Sequence, residues 1–306
     1  MIGELATWPV DRLVAAAKAS TPILSPSNRM AAAILEAEVA GALLVPPKPN
    51  GAAAGIFQTD AVLKVINSAL VLLHEAGPDP FGEQLGEDPR RSWYYATASV
   101  LVVAMRLSEA SKLVETGLTE FPNDPLLITA RGTISHRHLD ALMFRQWPGV
   151  RTGESRQTQT AATADYKRAL TLSPHLALAS LRLGQLYVDL GNEREARPLL
   201  QSVGGSSATD NQQYFAHLLL GRMAANDREF EASATEYEKA YGIAPGYQTA
   251  CIALSRIEEV LERQGRAAAI AEDCFRLSGH DDPWPHYRAQ GDPDALLRLR
   301  AEARGR

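Results

Sequence analysis

Small and large residues recur at helical spacing through the second half of the chain. Leu183, Gly184 and Tyr187 sit at offsets of one and three, so they share one helical face. Ala196, Leu200 and Val203, at offsets of four and seven, make the apolar stripe of a second helix. Between the two, Gly191-Asn192 offers the left-handed residue on which a helix ends, and Glu193 and Glu195 suit the start of the next. The pattern predicts two antiparallel helices, closely packed where Gly184 meets the small Ala196. It returns as Leu220, Gly221, Ser233, Tyr237, Ala240 and Pro245, with the two glycines roughly 37 residues apart.

The same register extends outward. Ala162, Tyr166, Ala169 and Pro174 fit the second helix of a preceding pair, and its first helix is predicted over residues 126–144, with Gly132 at the close-packing position. An insertion of about 18 residues separates them. This segment, residues 146–160, is polar and helix-poor after Trp147 and reads as a surface loop, with a ligand-gating loop as the alternative. Tyr94, Ala98, Leu101, Ala110, Val114, Gly117 and Pro122 fit an earlier pair beginning near Arg91, followed by a loop at Phe121-Pro122-Asn123-Asp124-Pro125. Residues 248–277 make a fifth pair, in which Ser255 replaces the glycine and Glu258 the aromatic. The units are therefore expected at residues 91–124, 125–176, 177–213, 214–247 and 248–280 within an array over 89–280.

Both ends differ in texture. Residues 9–19, 28–44 and 60–76 read as three helices separated by Pro- and Gly-rich breaks. The third is apolar over too broad a surface to stand exposed, and Trp93, Tyr94 and Tyr95 are its expected cover. Residues 1–88 are thus read as a helical extension packed on the array. At the other end, residues 281–306 form a linker and a cap: Asp292-Pro293-Asp294 starts a helix whose Leu296, Leu297 and Leu299 are expected to cover the final repeat. A basic docking tail is the alternative use of Arg298, Arg300, Arg304 and Arg306.

These positions together resemble the tetratricopeptide repeat (TPR) family, in which helix-turn-helix units of 34 residues stack on one another. The resemblance covers about 60% of the chain, from near Arg91 to Leu277. It implies an all-α fold: a right-handed solenoid of antiparallel helix pairs. The segment Asp282-Pro283-Trp284 is similar to one closing some poorly characterised bacterial TPR proteins. The fold implies no reaction.

In the family, the concave groove is lined by the second, fifth, ninth, twelfth and thirteenth residues of each first helix. Carried over position by position, the resemblance points to Ser92, Tyr95, Ser99 and Val102, then Leu126, Thr129, Thr133 and His136, then Leu178, Leu181, Gln185, Val188 and Asp189. Further on come Phe215, Leu218, Arg222, Ala225 and Asn226, followed by Thr249, Ile252, Arg256 and Glu259. Arg222 and Arg256 suit a carboxylate, while Gln185 and Asn226 suit an extended peptide backbone. Leucine or isoleucine stands at 181, 218 and 252, where the family's clamp for C-terminal carboxylates uses lysine, so a chaperone-tail clamp is not expected. The competing structural reading fills the groove with the N-terminal helices or the 146–160 insertion, making its leucines core.

Composition narrows the functional classes. With 306 residues and 45% hydrophobic content the chain can bury a large core, and a net charge of −5 argues against a general nucleic-acid binder. Charged residues interrupt every apolar run before it reaches about 18 residues, and residues 1–10 lack the pattern of a signal peptide. A soluble, cytoplasmic chain is expected as given, or a periplasmic or exported one if a leader was removed. Cys251 and Cys274 fall on the two helices of the last pair. They are read as buried thiols packing as small apolar groups, with a disulfide or a metal site as alternatives.

Candidate chemistry is sparse. The sequence holds no phosphate-binding glycine loop, nucleophile elbow, His-Glu-x-x-His or Cys-x-x-Cys. His136 and His138 point away from each other on a helix. Only His136 with Asp140 has ligand spacing, and the pair is read as part of a solvated helix face. His280, Asp281, Asp282 and His286 form a second loose cluster. No metal, cofactor or catalytic residue is predicted. The chain is read as a protein-protein interaction scaffold binding a partner segment, with an assembly subunit of an envelope-associated complex, acting through its outer surface, as the alternative and an enzyme as the third class.

Overall fold

The computed structural model describes residues 87–103, 105–145, 152–203, 208–245, 247–277, 282, 284–288, 290–292, 294, 295 and 298. The three helices expected before residue 87 lie outside the described residues. Among the described residues the fold is all-α, without strands, and is built of antiparallel helix pairs. It divides into two compact units, one made of the described residues through Ala130 with those from His286 on, the other of Arg131–Pro285.

In the first unit α1 (Glu87–Val103) pairs with α2 (Leu107–Glu120), which leads into α3 (Pro125–Arg145). Trp93, Tyr94, Ala98 and Leu101 are buried, as are Ala110, Val114 and Leu118 opposite them. Asp124 starts α3 by accepting a hydrogen bond on Oδ1 from the Leu127 backbone N–H at 2.8 Å.

The second unit contains the rest of α3 with α4 (Gly153–Leu172), then α5 (Ala177–Asp189) with α6 (Glu193–Ser202), α7 (Asp210–Asn226) with α8 (Phe230–Ile243), and α9 (Gln248–Val260) with α10 (Gln264–Leu277). Each pair packs on the next: Leu139, Ala162, Tyr166, Leu183 and Leu186 form one apolar cluster, with Tyr187 and Leu199 against it. The glycines at the crossings have no room for a side chain. A Cβ on Gly184 would lie 2.7 Å from Leu200 Cδ2, and one on Gly221 2.6 Å from Tyr237 Cε1. In the last pair a serine does the equivalent work, Ser255 Oγ donating to the Ala267 carbonyl at 3.0 Å. Glu258, in the aromatic position, is fully buried, with Arg263 Nη1 and Arg266 Nε each 3.6 Å away. Arg266 also pairs with Glu238 of α8.

The four turns described within the pairs share one geometry. Gly191 has φ +76°, and the Asn192 N–H returns to the Tyr187 carbonyl at 2.8 Å, closing α5 with a left-handed cap. Met105, Arg228 and Glu262 take the same conformation, with φ of 61°, 62° and 60°, and the following N–H groups reach back to Leu101, Ala224 and Glu258. Only one of these four turns uses glycine, so only that one is signalled by its residue type.

Two expectations change. The 146–160 insertion is not a loop over its whole length: α4 begins at Gly153, capped by Thr152 Oγ1, which accepts from the Ser155 N–H at 3.2 Å, with Glu154 in the first turn. Its first two turns are polar on most sides, so no apolar period marks them as helical. Cys251 and Cys274 are not free thiols but a disulfide between α9 and α10, their Cα atoms 6.0 Å apart. Leu296, Leu297 and Leu299 of the expected cap lie outside the described residues, while Asp292 and Arg298 lie against α1 within the first unit. Asp292 does start the turn as expected, accepting on Oδ1 from the Asp294 N–H at 3.0 Å.

Candidate functional site

The first-helix positions separate into a buried set and an exposed set. Tyr95, His136, Leu181, Gln185 and Leu218 are all buried, with His136, Leu181 and Gln185 fully so. Asp189 is half-buried, while Arg222, Asn226 and Arg256 are exposed. Ile252 is also exposed, at 53%. Leu181 and Leu218 are therefore buried, while the exposed positions of this set lie on α7 and α9.

What lies against these helices includes the chain's own C-terminal segment. In the first unit Tyr95 Oη donates to Asp292 Oδ2 at 2.8 Å, and the Asp292 N–H donates to Ser99 Oγ at 2.8 Å. The Arg298 guanidinium sits 5.5 Å from the centre of the Tyr95 ring and 3.5 Å from the Asp292 carboxylate.

In the second unit the anchor is Asp282. Its carboxylate accepts from the Thr249 N–H at 2.7 Å, the Trp284 N–H at 2.9 Å and Tyr214 Oη at 3.3 Å. The Thr249 N–H belongs to the first turn of α9, where the backbone has no internal acceptor and the helix dipole favours an anion. The Tyr214 hydroxyl in turn accepts from the Ala250 N–H at 3.3 Å. Burial, and then the negative Asp282 beside it, hold Tyr214 protonated far above the ordinary tyrosine range, so the hydroxyl stays a donor. The Trp284 ring lies on Phe215, centroids 6.0 Å apart and planes tilted by 42°. Asp282 and Trp284, the residue that opens the short helix Trp284–Arg288, are thus fixed by one carboxylate and one aromatic ring.

The polar residues assigned to peptide recognition behave differently from one another. Gln185 Oε1 accepts from Arg182 Nη1 at 3.0 Å, and Arg182 is itself buried. Arg222 is close enough to act on the Tyr237 phenol of its own pair; there burial outweighs the arginine and holds the phenol above its ordinary value. On the same pair, His217 Nδ1 lies 2.7 Å from Glu236 Oε2 and Lys239 Nζ 2.7 Å from Glu236 Oε1.

His136 departs most from its sequence reading. It is not on a solvated face: its ring is fully buried, edge-on to Tyr166, with centroids 6.4 Å apart. Its Nε2 lies 3.8 Å from Asp140 Oδ1 one turn along α3 and 3.6 Å from Asp189 Oδ2 at the end of α5. Candidate ligand atoms of these three residues all lie within 4.8 Å of one another.

The sequence placed His136 and Asp189 at groove positions in separate units but did not bring them together. It missed Tyr214, Phe215 and Asp282 as one constellation. Asp282 was visible as a member of the loose cluster at 280–286 and as the first residue of the Asp-Pro-Trp run.

No family model matches the sequence, and no curated protein does. Among solved structures the chain is similar to a monomeric mutant of IFIT1 with Gppp-AAAA, at 14% identity and TM-score 0.51, over 88% of this chain and 68% of that one. It is also similar to the thermophilic TPR protein TTC0263 of Thermus thermophilus (16% identity, TM-score 0.48, 68% and 92% of the chains). A third is MamA from residue 41 to its end, from Desulfovibrio magneticus RS-1 (19% identity, TM-score 0.45, 63% and 96%). The first of these likenesses bears on the all-α fold, and on the fold alone.

Proposed function

We propose that this chain of TPR-type helix pairs is a non-catalytic scaffold that takes an extended segment of a partner protein on its first-helix face. The observation that carries the reading is the seat of Asp282 and Trp284 on α7 and α9, where backbone N–H groups at a helix start hold a carboxylate and Phe215 receives an aromatic ring. The same surface chemistry suits a partner segment with an acidic residue close to an aromatic one. The chain's own segment then acts as a tethered competitor. Arg222, Asn226 and Arg256, exposed positions two to three turns further along the same two helices, extend recognition toward acidic or backbone groups. Among the described residues no helix is long and apolar enough to cross a membrane.

The test is competition. A labelled peptide copying residues 279–291 is titrated by fluorescence anisotropy into the wild-type chain and into an Asp282→Ala/Trp284→Ala variant, after circular dichroism shows equal helicity. Because a tethered segment competes at an effective concentration in the millimolar range, the variant should bind the peptide at least about tenfold more tightly than wild type. Equal binding by the two, or none by either, would reject the face as a segment-binding surface.

A further inference from the structure

We infer that His136, Asp140 and Asp189 form a binding site for a first-row divalent cation, with zinc the best match to the donor set. The inference does not rest on the scaffold reading and survives its failure. Three observations lead to it. The first is convergence: an imidazole from α3, a carboxylate one turn further along α3 and a carboxylate from the last residue of α5 bring ligand atoms within 4.8 Å of one another. The second is the state of the histidine. His136 is fully buried, and neither ring nitrogen has a hydrogen-bond partner in the protein, although a buried polar group is ordinarily satisfied.

The third is distance. At 3.6 and 3.8 Å the carboxylate oxygens are too far from Nε2 to accept a hydrogen bond. Two ligand atoms each about 2.0–2.1 Å from a zinc ion, at a tetrahedral angle, stand roughly 3.3 Å apart. The observed separations exceed that by a few tenths of an ångström, which a small change in carboxylate torsion closes. The gap is therefore too wide for a proton and the right size for a cation.

The donor set fits the ion. Neutral imidazole with two carboxylates is a three-ligand set of the kind that leaves a fourth position for water. The Asp140 and Asp189 side chains are 30% and 17% exposed, so the ion and that water have a path from solvent, while the histidine side is closed. Arg137 Nη1 lies 4.0 Å from the other Asp140 oxygen and offsets part of the negative charge. The Nδ1 atom lacks a protein acceptor, and that outer hydrogen bond is commonly worth 10–100-fold in affinity. Micromolar binding is expected, not the nanomolar binding of a fully supported site. A bound ion would tie the first helices of two successive repeats together at the face they present.

Full-length protein stripped with EDTA and desalted is titrated with Co2+ and followed between 500 and 650 nm, and Zn2+ is then used to displace it. One Co2+ per chain is expected, with a d–d spectrum stronger than that of the aqueous ion. Zn2+ at about 100 times its dissociation constant should raise Tm by about 5 °C. Asp189→Asn, nearly isosteric and half-buried, should weaken Co2+ binding at least tenfold while keeping the metal-free Tm close to wild type. His136→Gln tests the nitrogen ligand. His138→Gln removes the exposed histidine that lies 3.7 Å from Glu154 and should leave the spectrum unchanged. The inference is overturned if the spectrum stays that of aqueous Co2+, if Asp189→Asn binds like wild type, or if His138→Gln abolishes the signal.

Discussion

At Gly221 a methyl group would meet three atoms of the Tyr237 ring at 2.6, 2.7 and 3.0 Å, and that ring is itself buried between helices. Alanine is the better helix former by about 1 kcal/mol, but overpacking of this kind costs about 1–3 kcal/mol or more, and contacts this short belong at the upper end. Gly221→Ala should therefore lower stability by about 2 kcal/mol, read as a lower urea midpoint at unchanged slope. Gly242, in the last turn of α8, has nothing within 4 Å of an added Cβ, so Gly242→Ala should raise stability by about 0.5–1 kcal/mol in the same assay. Opposite signs for the same chemical change separate packing from propensity. The sequence made Gly184 and Gly221 legible as close contacts because their partners recur at a fixed offset. It could not reveal the left-handed residues Met105, Arg228 and Glu262, because backbone geometry there is imposed by the turn and carries no residue signature.

Between elements, the α7–α8 pair is tied by Glu236, held by His217 from one helix and Lys239 from its own. Burial pushes the Glu236 carboxyl up, but the hydrogen bonds and positive charge of His217 and Lys239 outweigh it and hold the group below its ordinary value of 4.5. A carboxyl with a depressed folded-state pKa adds stability that is complete above the unfolded value and disappears as pH falls through the folded one. Glu236→Gln should therefore cost about 1 kcal/mol or less near neutral pH, and the gap to wild type should close below pH 4.5 in paired denaturation curves. A constant gap from neutral to strongly acid pH would reject an electrostatic role. The early start of α4 belongs to this scale too. Apolar period reveals a helix that buries one side, and Gly153–Thr160 supplies only a Thr152 cap and polar helix-compatible residues.

In the second unit, from α4 to α10, helices that follow one another in the chain pack together, and in such an array stability is built from pairs and nearest-neighbour interfaces. The repeats were legible because each pair repeats one local rule. The constellations at Asp282 and at His136 were not, since each joins residues from different repeats, and a periodic pattern says which face a residue is on but not which neighbour it meets. The Cys251–Cys274 disulfide makes the modular picture testable. It closes a loop with a sequence separation of 23, for which loop entropy gives a contribution of about 3 kcal/mol. If stability is carried pair by pair, reduction should leave α1 amides protected while those of α9 and α10 exchange about 100-fold faster, the rate equivalent of ~3 kcal/mol. Asp282 and Trp284 should loosen with them, because the Thr249 N–H that holds Asp282 sits in the first turn of α9. Hydrogen exchange followed by mass spectrometry, with and without a phosphine reductant, reads all three segments at once. An equal rise in α1 and α10 would mean that the array opens as one cooperative body, and the pairwise account of its stability would have to be abandoned.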